Sequence, residues 1–82
     1  MKPLKIAILK EVRRADETGA AYPAEALRNA VRWAIVPQPT YAEIDTALED
    51  LQERKLIVAV QNELYGLRYF LTDAGRAALA SV

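Results

Sequence analysis

The chain has 82 residues, 52% of them hydrophobic and 27% charged, with eleven basic and eleven acidic side chains that cancel and neither cysteine nor histidine. That composition fits one folded domain over residues 1–82 and not a disordered segment, but the core is small, since a chain this short buries only about 60% of the surface its unfolded form exposes. It excludes a disulfide framework, a thiolate nucleophile or metal site, and the commonest general base.

No apolar run reaches the roughly 18 residues of a membrane span. The apolar patch near the N-terminus is broken by Lys10 and Glu11, too early for a signal-peptide core, so the expected location is the cytoplasm, without a membrane partner. The first predicted helix covers residues 4–15. Leu4, Ile8, Val12 and Ala15 form one stripe, widened by Leu9, and Lys10, Arg13 and Arg14 lie opposite. Ile6 falls on the polar face, either as a lone exposed apolar residue or as a contact with a second protomer. Asp16 to Gly19 ends this helix, with Gly19 as its left-handed terminator.

Ala20-Ala21-Tyr22 reads as a minimal strand, and Pro23 opens a second helix running to Ile35. Leu27, Ala30, Val31 and Ala34 make its buried stripe, while Glu25, Arg28, Asn29 and Arg32 make its wet face. Trp33 sits at the edge of the stripe and reads first as a flank of the core, second as a binding anchor. Val36-Pro37-Gln38-Pro39 is a stiff corner. Thr40 and Glu43 then form a capping box for a third helix, predicted over residues 40–54. Its buried stripe is Ile44, Ala47, Leu48 and Leu51, with Tyr41 alongside. Its exposed ridge is Ala42, Asp45, Thr46, Glu49 and Glu53, with Asp50 near it.

Residues 56–60 and 67–71 read as two strands joined through Asn62 and Gly66, which puts Leu64 and Tyr65 at an exposed tip. Thr72 and Asp73 cap a short last helix over residues 74–80. The order helix, short strand, helix, helix, hairpin, helix defines the expected class. It is α+β and mostly helical: a winged helix-turn-helix with a three-helix core, a two-stranded wing and a short C-terminal helix.

Two segments extend the likeness beyond topology. Ala47 to Ile57 resembles the recognition-helix end and first wing strand of such regulators. Tyr69-Phe70-Leu71-Thr72-Asp73-Ala74-Gly75-Arg76 is similar to the Tyr-x-Leu-Thr-x-x-Gly-Arg run of bacterial transcription regulators of the multiple-antibiotic-resistance and phenolic-acid-decarboxylase regulator types. Lys55 stands where those proteins often carry glycine, and lysine resists positive φ. The resemblance implies that the third helix enters the major groove of double-stranded DNA and that the wing touches the backbone or minor groove. Carried over by position, Thr40, Tyr41, Ala42, Asp45, Thr46 and Glu49 face bases, and Arg68, with Gln61 and Asn62, serves the wing. Arg28 and Arg32 on the second helix are placed to reach phosphates, whereas the first helix is expected on the far side.

The residues themselves pull in another direction. Asp45, Glu49 and Glu53 form an acidic ridge on the face that would approach DNA, where regulators usually carry Arg, Lys, Asn or Gln. The ridge reads as a solvated face, as a docking surface for a basic partner such as the first helix of another copy, or as a bystander to DNA contact made elsewhere. Two functions follow. One is a transcription-regulator-like DNA binder using Arg28, Arg32, Thr40, Tyr41, Ala42, Thr46 and Arg68. The other is a protein-interaction module, including a homodimer, using Ile6, Trp33, Asp45, Glu49, Glu53, Leu64 and Tyr65. Neither is an enzyme, and neither calls for a cofactor, a metal or a small-molecule substrate. There is no phosphate-binding glycine loop and no nucleophile–base pair, and an all-oxygen site from Asp45 and Glu49 would lack ligands.

Overall fold

In the computed structural model, which describes residues 1–64 and 66–82, the elements run α1 (Pro3–Glu17), β1 (Tyr22–Pro23), α2 (Ala24–Ala34), α3 (Tyr41–Glu53), β2 (Ile57–Asn62), β3 (Gly66–Leu71) and α4 (Asp73–Ala80). The expected winged helix-turn-helix is present; the wing strands are each one residue longer than expected, with β2 starting at Ile57, while β1 is only Tyr22–Pro23 and not residues 20–22. Pro23 closes β1 and stands at the N-cap position of α2, with no side-chain cap, instead of occupying its first turn.

The three strands form an antiparallel sheet in the order β1-β3-β2. Tyr22 pairs with Tyr69, and the wing runs from Ile57 opposite Leu71 to Asn62 opposite Gly66. Strand alternation puts Ile57, Tyr69 and Leu71 on the inner face, where all three are buried. They meet Ile8, Leu9 and Val12 of α1, Leu27 and Val31 of α2, and Ile44, Ala47, Leu48 and Leu51 of α3, with Leu79 of α4 completing the core.

Ile6 does not stand on an exposed face. It is half-buried and packs against the core, because α1 is gripped by α2, α3 and the sheet and so needs an apolar arc wider than one stripe. Trp33 departs the other way: it is 79% exposed, and Ala34 is exposed beside it. Helix α2 stops at Ala34, and its last turn sends Val31 into the core, which leaves Trp33 and Ala34 on the outward side.

The helix ends account for much of the sequence punctuation. At the end of α1, Gly19 N–H donates to the Asp16 carbonyl at 2.9 Å and Ala20 N–H to the Ala15 carbonyl at 3.0 Å, a Schellman motif with Gly19 at φ 77°. Helix α3 ends the same way. Lys55 N–H donates to the Gln52 carbonyl at 3.0 Å and Leu56 N–H to the Leu51 carbonyl at 2.9 Å, which forces Lys55 to φ 60°. A side chain in that conformation costs roughly 1–2 kcal/mol, and glycine returns part of the gain through its freer unfolded chain. Lys55→Gly is therefore expected to raise stability by about 1 kcal/mol, read as a higher urea midpoint at unchanged slope.

The Tyr-x-Leu-Thr-x-x-Gly-Arg run acts as a joint between wing and helices. Tyr69 and Leu71 fill the core. The Thr72 hydroxyl accepts from Gly75 N–H at 3.0 Å, capping α4, and shares its one proton between the Lys55 and Leu56 carbonyl oxygens, 2.7 and 2.9 Å away. Gly75 is buried against Leu56, and Arg76 pairs with Asp16 of α1 and Asp73 of its own helix. The run thus fixes the end of α3, the wing and α1 relative to one another.

Candidate nucleic-acid interface

Thr40 caps α3 as its sequence implies: its hydroxyl accepts from Glu43 N–H at 3.1 Å, and the Glu43 carboxylate accepts from Thr40 N–H at 3.0 Å. The box satisfies two helix-end donors, and the bonds donated by Thr40 hold the Glu43 carboxyl below its ordinary range. It pins the end of α3 that carries Tyr41, Ala42, Asp45 and Thr46, all of them exposed.

Helix α2 flanks that end on one side. Arg28 grips Asp45 with two contacts, Nε to Oδ1 at 2.9 Å and Nη2 to Oδ2 at 3.1 Å. Its guanidinium carbon lies 4.6 Å from the centre of the Tyr41 ring, and that of Arg32 lies 4.8 Å from the same ring. The Tyr41 hydroxyl donates to Asn29 Oδ1 at 2.7 Å, which keeps the ring in place. Arg28 and Arg32 are one helical turn apart, so both can reach an aromatic presented at the start of the next helix. Tyr69 lies beneath this cluster. Burial pushes its hydroxyl above the usual value, with Asp45 adding to the rise and Arg28 opposing it.

The N-terminal end of α1 flanks the other side, which corrects the expectation that α1 lies on the far side of the fold. Lys5 pairs with Asp50, and Lys2, Pro3, Leu4 and Lys5 form a groove with Ala42, Glu43, Thr46, Ala47 and Asp50. Hydrogen bonding from Lys5 holds the Asp50 carboxyl below its ordinary range, with desolvation opposing and Arg54, 2.9 Å away, assisting. The acidic ridge is therefore partly neutralised from both flanks. Asp45 and Asp50 carry cations, while Glu49 and Glu53 are exposed and have no ion pair among the described residues.

Of the wing residues, Arg68 lies on the outer face of the sheet, opposite Val60 of β2 and Pro23 of β1, and is half-buried. Gln61 and Asn62 are exposed near the tip, as is Leu64, while Tyr65 lies outside the described residues. The structure brings Arg28, Arg32, Tyr41 and Asp45 into one cluster, with Thr40, Ala42 and Thr46 on the adjoining turns of α3. Arg68 belongs to a separate surface, and Ile6, Trp33 and Leu64 do not converge on a single patch with the acidic ridge. Sequence reasoning missed Lys2 and Lys5 beside α3. It also missed the Tyr41–arginine stacking, for which the Arg28/Arg32 spacing and an aromatic directly after a helix cap were an available signal.

A helix-turn-helix whose second helix is capped, exposed along one side and flanked by cations, followed by a β-wing, belongs to the winged-helix class of folds. The chain is similar to the crystal structure of a transcriptional regulator of the MarR family from Silicibacter pomeroyi, with a TM-score of 0.74 over 99% of this chain at 20% sequence identity. The chain spans 49% of that regulator's length, about half. No family model and no curated protein sequence matches it. At 20% identity the likeness establishes a winged-helix fold.

Proposed function

We propose that residues 1–82 act as one winged-helix domain that binds double-stranded DNA in the manner of a transcription regulator, with no catalytic step. The observation that carries this reading is the pair of arginines, Arg28 and Arg32, stacked on Tyr41 at the capped start of α3. Helix α3 then supplies base contacts from Ala42 and Thr46, Thr40 and Tyr41 position the backbone, and Arg28 and Arg32 meet phosphates. Arg68 serves the wing. Arg32 is the better phosphate ligand of the two, since it has no carboxylate partner among the described residues whereas Arg28 holds Asp45.

The test is fluorescence anisotropy of a labelled duplex of mixed sequence at 50 and 200 mM salt. Wild-type protein is expected to bind at low salt and weaken as salt rises, and Arg32→Glu is expected to bind at least tenfold more weakly while remaining folded. Absent or salt-independent binding overturns the reading. A second reading, a protein-interaction module, is favoured by exposed Trp33 and by Val36, which is 92% exposed, at the end of α2. Self-association or partner binding lost in Trp33→Ala, with no duplex affinity, would replace the first.

A further inference from the structure

The Arg28–Asp45 contact places a carboxylate on one of the two guanidinium groups that the reading above assigns to phosphate. A carboxylate and a phosphate present the same two-oxygen edge to a guanidinium, and Asp45 occupies Arg28 through one hydrogen bond from Nη2 at 3.1 Å and a close charge contact at Nε, 2.9 Å away. The second guanidinium on the Tyr41 ring, that of Arg32, carries no such acid among the described residues. Both members of the pair reach solvent, with the Arg28 side chain 32% and the Asp45 side chain 50% exposed. An ion pair this wet contributes little to stability, so it can open without unfolding α2 or α3.

We propose that Asp45 is a built-in phosphate substitute that occupies Arg28 in the free protein and suppresses sequence-independent binding to nucleic-acid backbone. This rests on the DNA-binding reading above. A phosphate must displace Asp45 to gain Arg28, so on an arbitrary sequence Arg28 adds little and the weak low-salt binding is left to Arg32. Binding becomes favourable where the bases facing Ala42 and Thr46 add contacts of their own, or where the released Asp45 carboxylate accepts from a cytosine amino group. The arrangement accounts for an acid at the start of a helix that would otherwise face phosphates, in a chain whose charges sum to zero.

The experiment compares wild type, Asp45→Asn, Asp45→Ala and Asp45→Asn/Arg28→Gln on a duplex of mixed sequence between 50 and 200 mM salt, with thermal melts to confirm folding. Glu49→Gln, alone and with Arg28→Gln, controls for removing one negative charge without releasing a cation. Both Asp45 variants are expected to bind more tightly than wild type, with a log–log salt slope steeper by about 0.9, which adds a loss of about 3.5-fold across that salt range. Adding Arg28→Gln should cancel the Asp45→Asn gain and leave any Glu49→Gln gain in place. Wild-type binding with both Asp45 variants folded and unchanged or weaker overturns the inference alone, as does a gain that survives Arg28→Gln. If neither wild type nor the Asp45 variants bind at 50 mM salt, the inference and the DNA-binding reading fall together.

Discussion

Gly75→Ala is expected to lower stability by about 3 kcal/mol or more, the upper end of what over-packing costs. A Cβ at this position would run into the Leu56 carbonyl oxygen and come within 2.6 Å of Leu71 Cδ1. Leucine can rotate away, but the carbonyl cannot: it accepts from Thr72 N–H at 3.2 Å and from the Thr72 hydroxyl at 2.9 Å, and it sits just beyond the Schellman turn that ends α3. Relief requires α4 to shift off the wing, which takes Leu79 out of the core and strains the Arg76–Asp16 contact. Alanine's better helix propensity returns at most about 1 kcal/mol. A domain of this size has roughly 4–12 kcal/mol of stability in all, so the variant should show a urea midpoint reduced by a quarter or more.

Ile44→Ala is the second large effect, a loss of about 3 kcal/mol within the usual range of roughly 2–5 for deleting a core isoleucine. Ile44 is fully buried, one residue before Asp45 and one turn after the Thr40 cap. It holds the first half of α3 in the core while its neighbours on either side face solvent. Urea denaturation with an unchanged slope measures the effect. A loss under 1 kcal/mol would mean that the start of α3 is poorly anchored, contrary to the packing seen.

The parts of the fold that could be read from sequence are those set by near neighbours. The Thr40–Glu43 box spans three residues, Gly19 and Thr72 sit at helix boundaries, and Ile44, Ala47, Leu48 and Leu51 repeat with the helical period. The exposure of Trp33 could not be read the same way, because periodicity says which face a residue shares and not where the neighbouring element stops. The same holds for Ile6, whose burial depends on how many elements wrap α1.

The candidate site was half legible. The types Arg28, Arg32, Thr40 and Thr46 stood out on their own helices. The pairing of Arg28 with Asp45, 17 residues apart, and of Lys5 with Asp50 is set by how α2 and α1 cross α3, so the ridge looked more acidic in sequence than it is in space. The positive φ at Lys55 lies between. Lysine in place of the usual glycine argued against that turn, and the Schellman bonds at the end of α3 show why the turn is kept all the same.

In the proposed function, the face built from α2 and the start of α3 meets DNA. Mapping amide shifts of the labelled protein during titration with a short duplex at low salt tests it most directly. Saturating shifts are expected on Arg28, Arg32 and residues 40–46, with a second set around Arg68 in the wing. Shifts confined to the outer surfaces of α1 and α4, or a spectrum that duplex leaves unchanged, would contradict it.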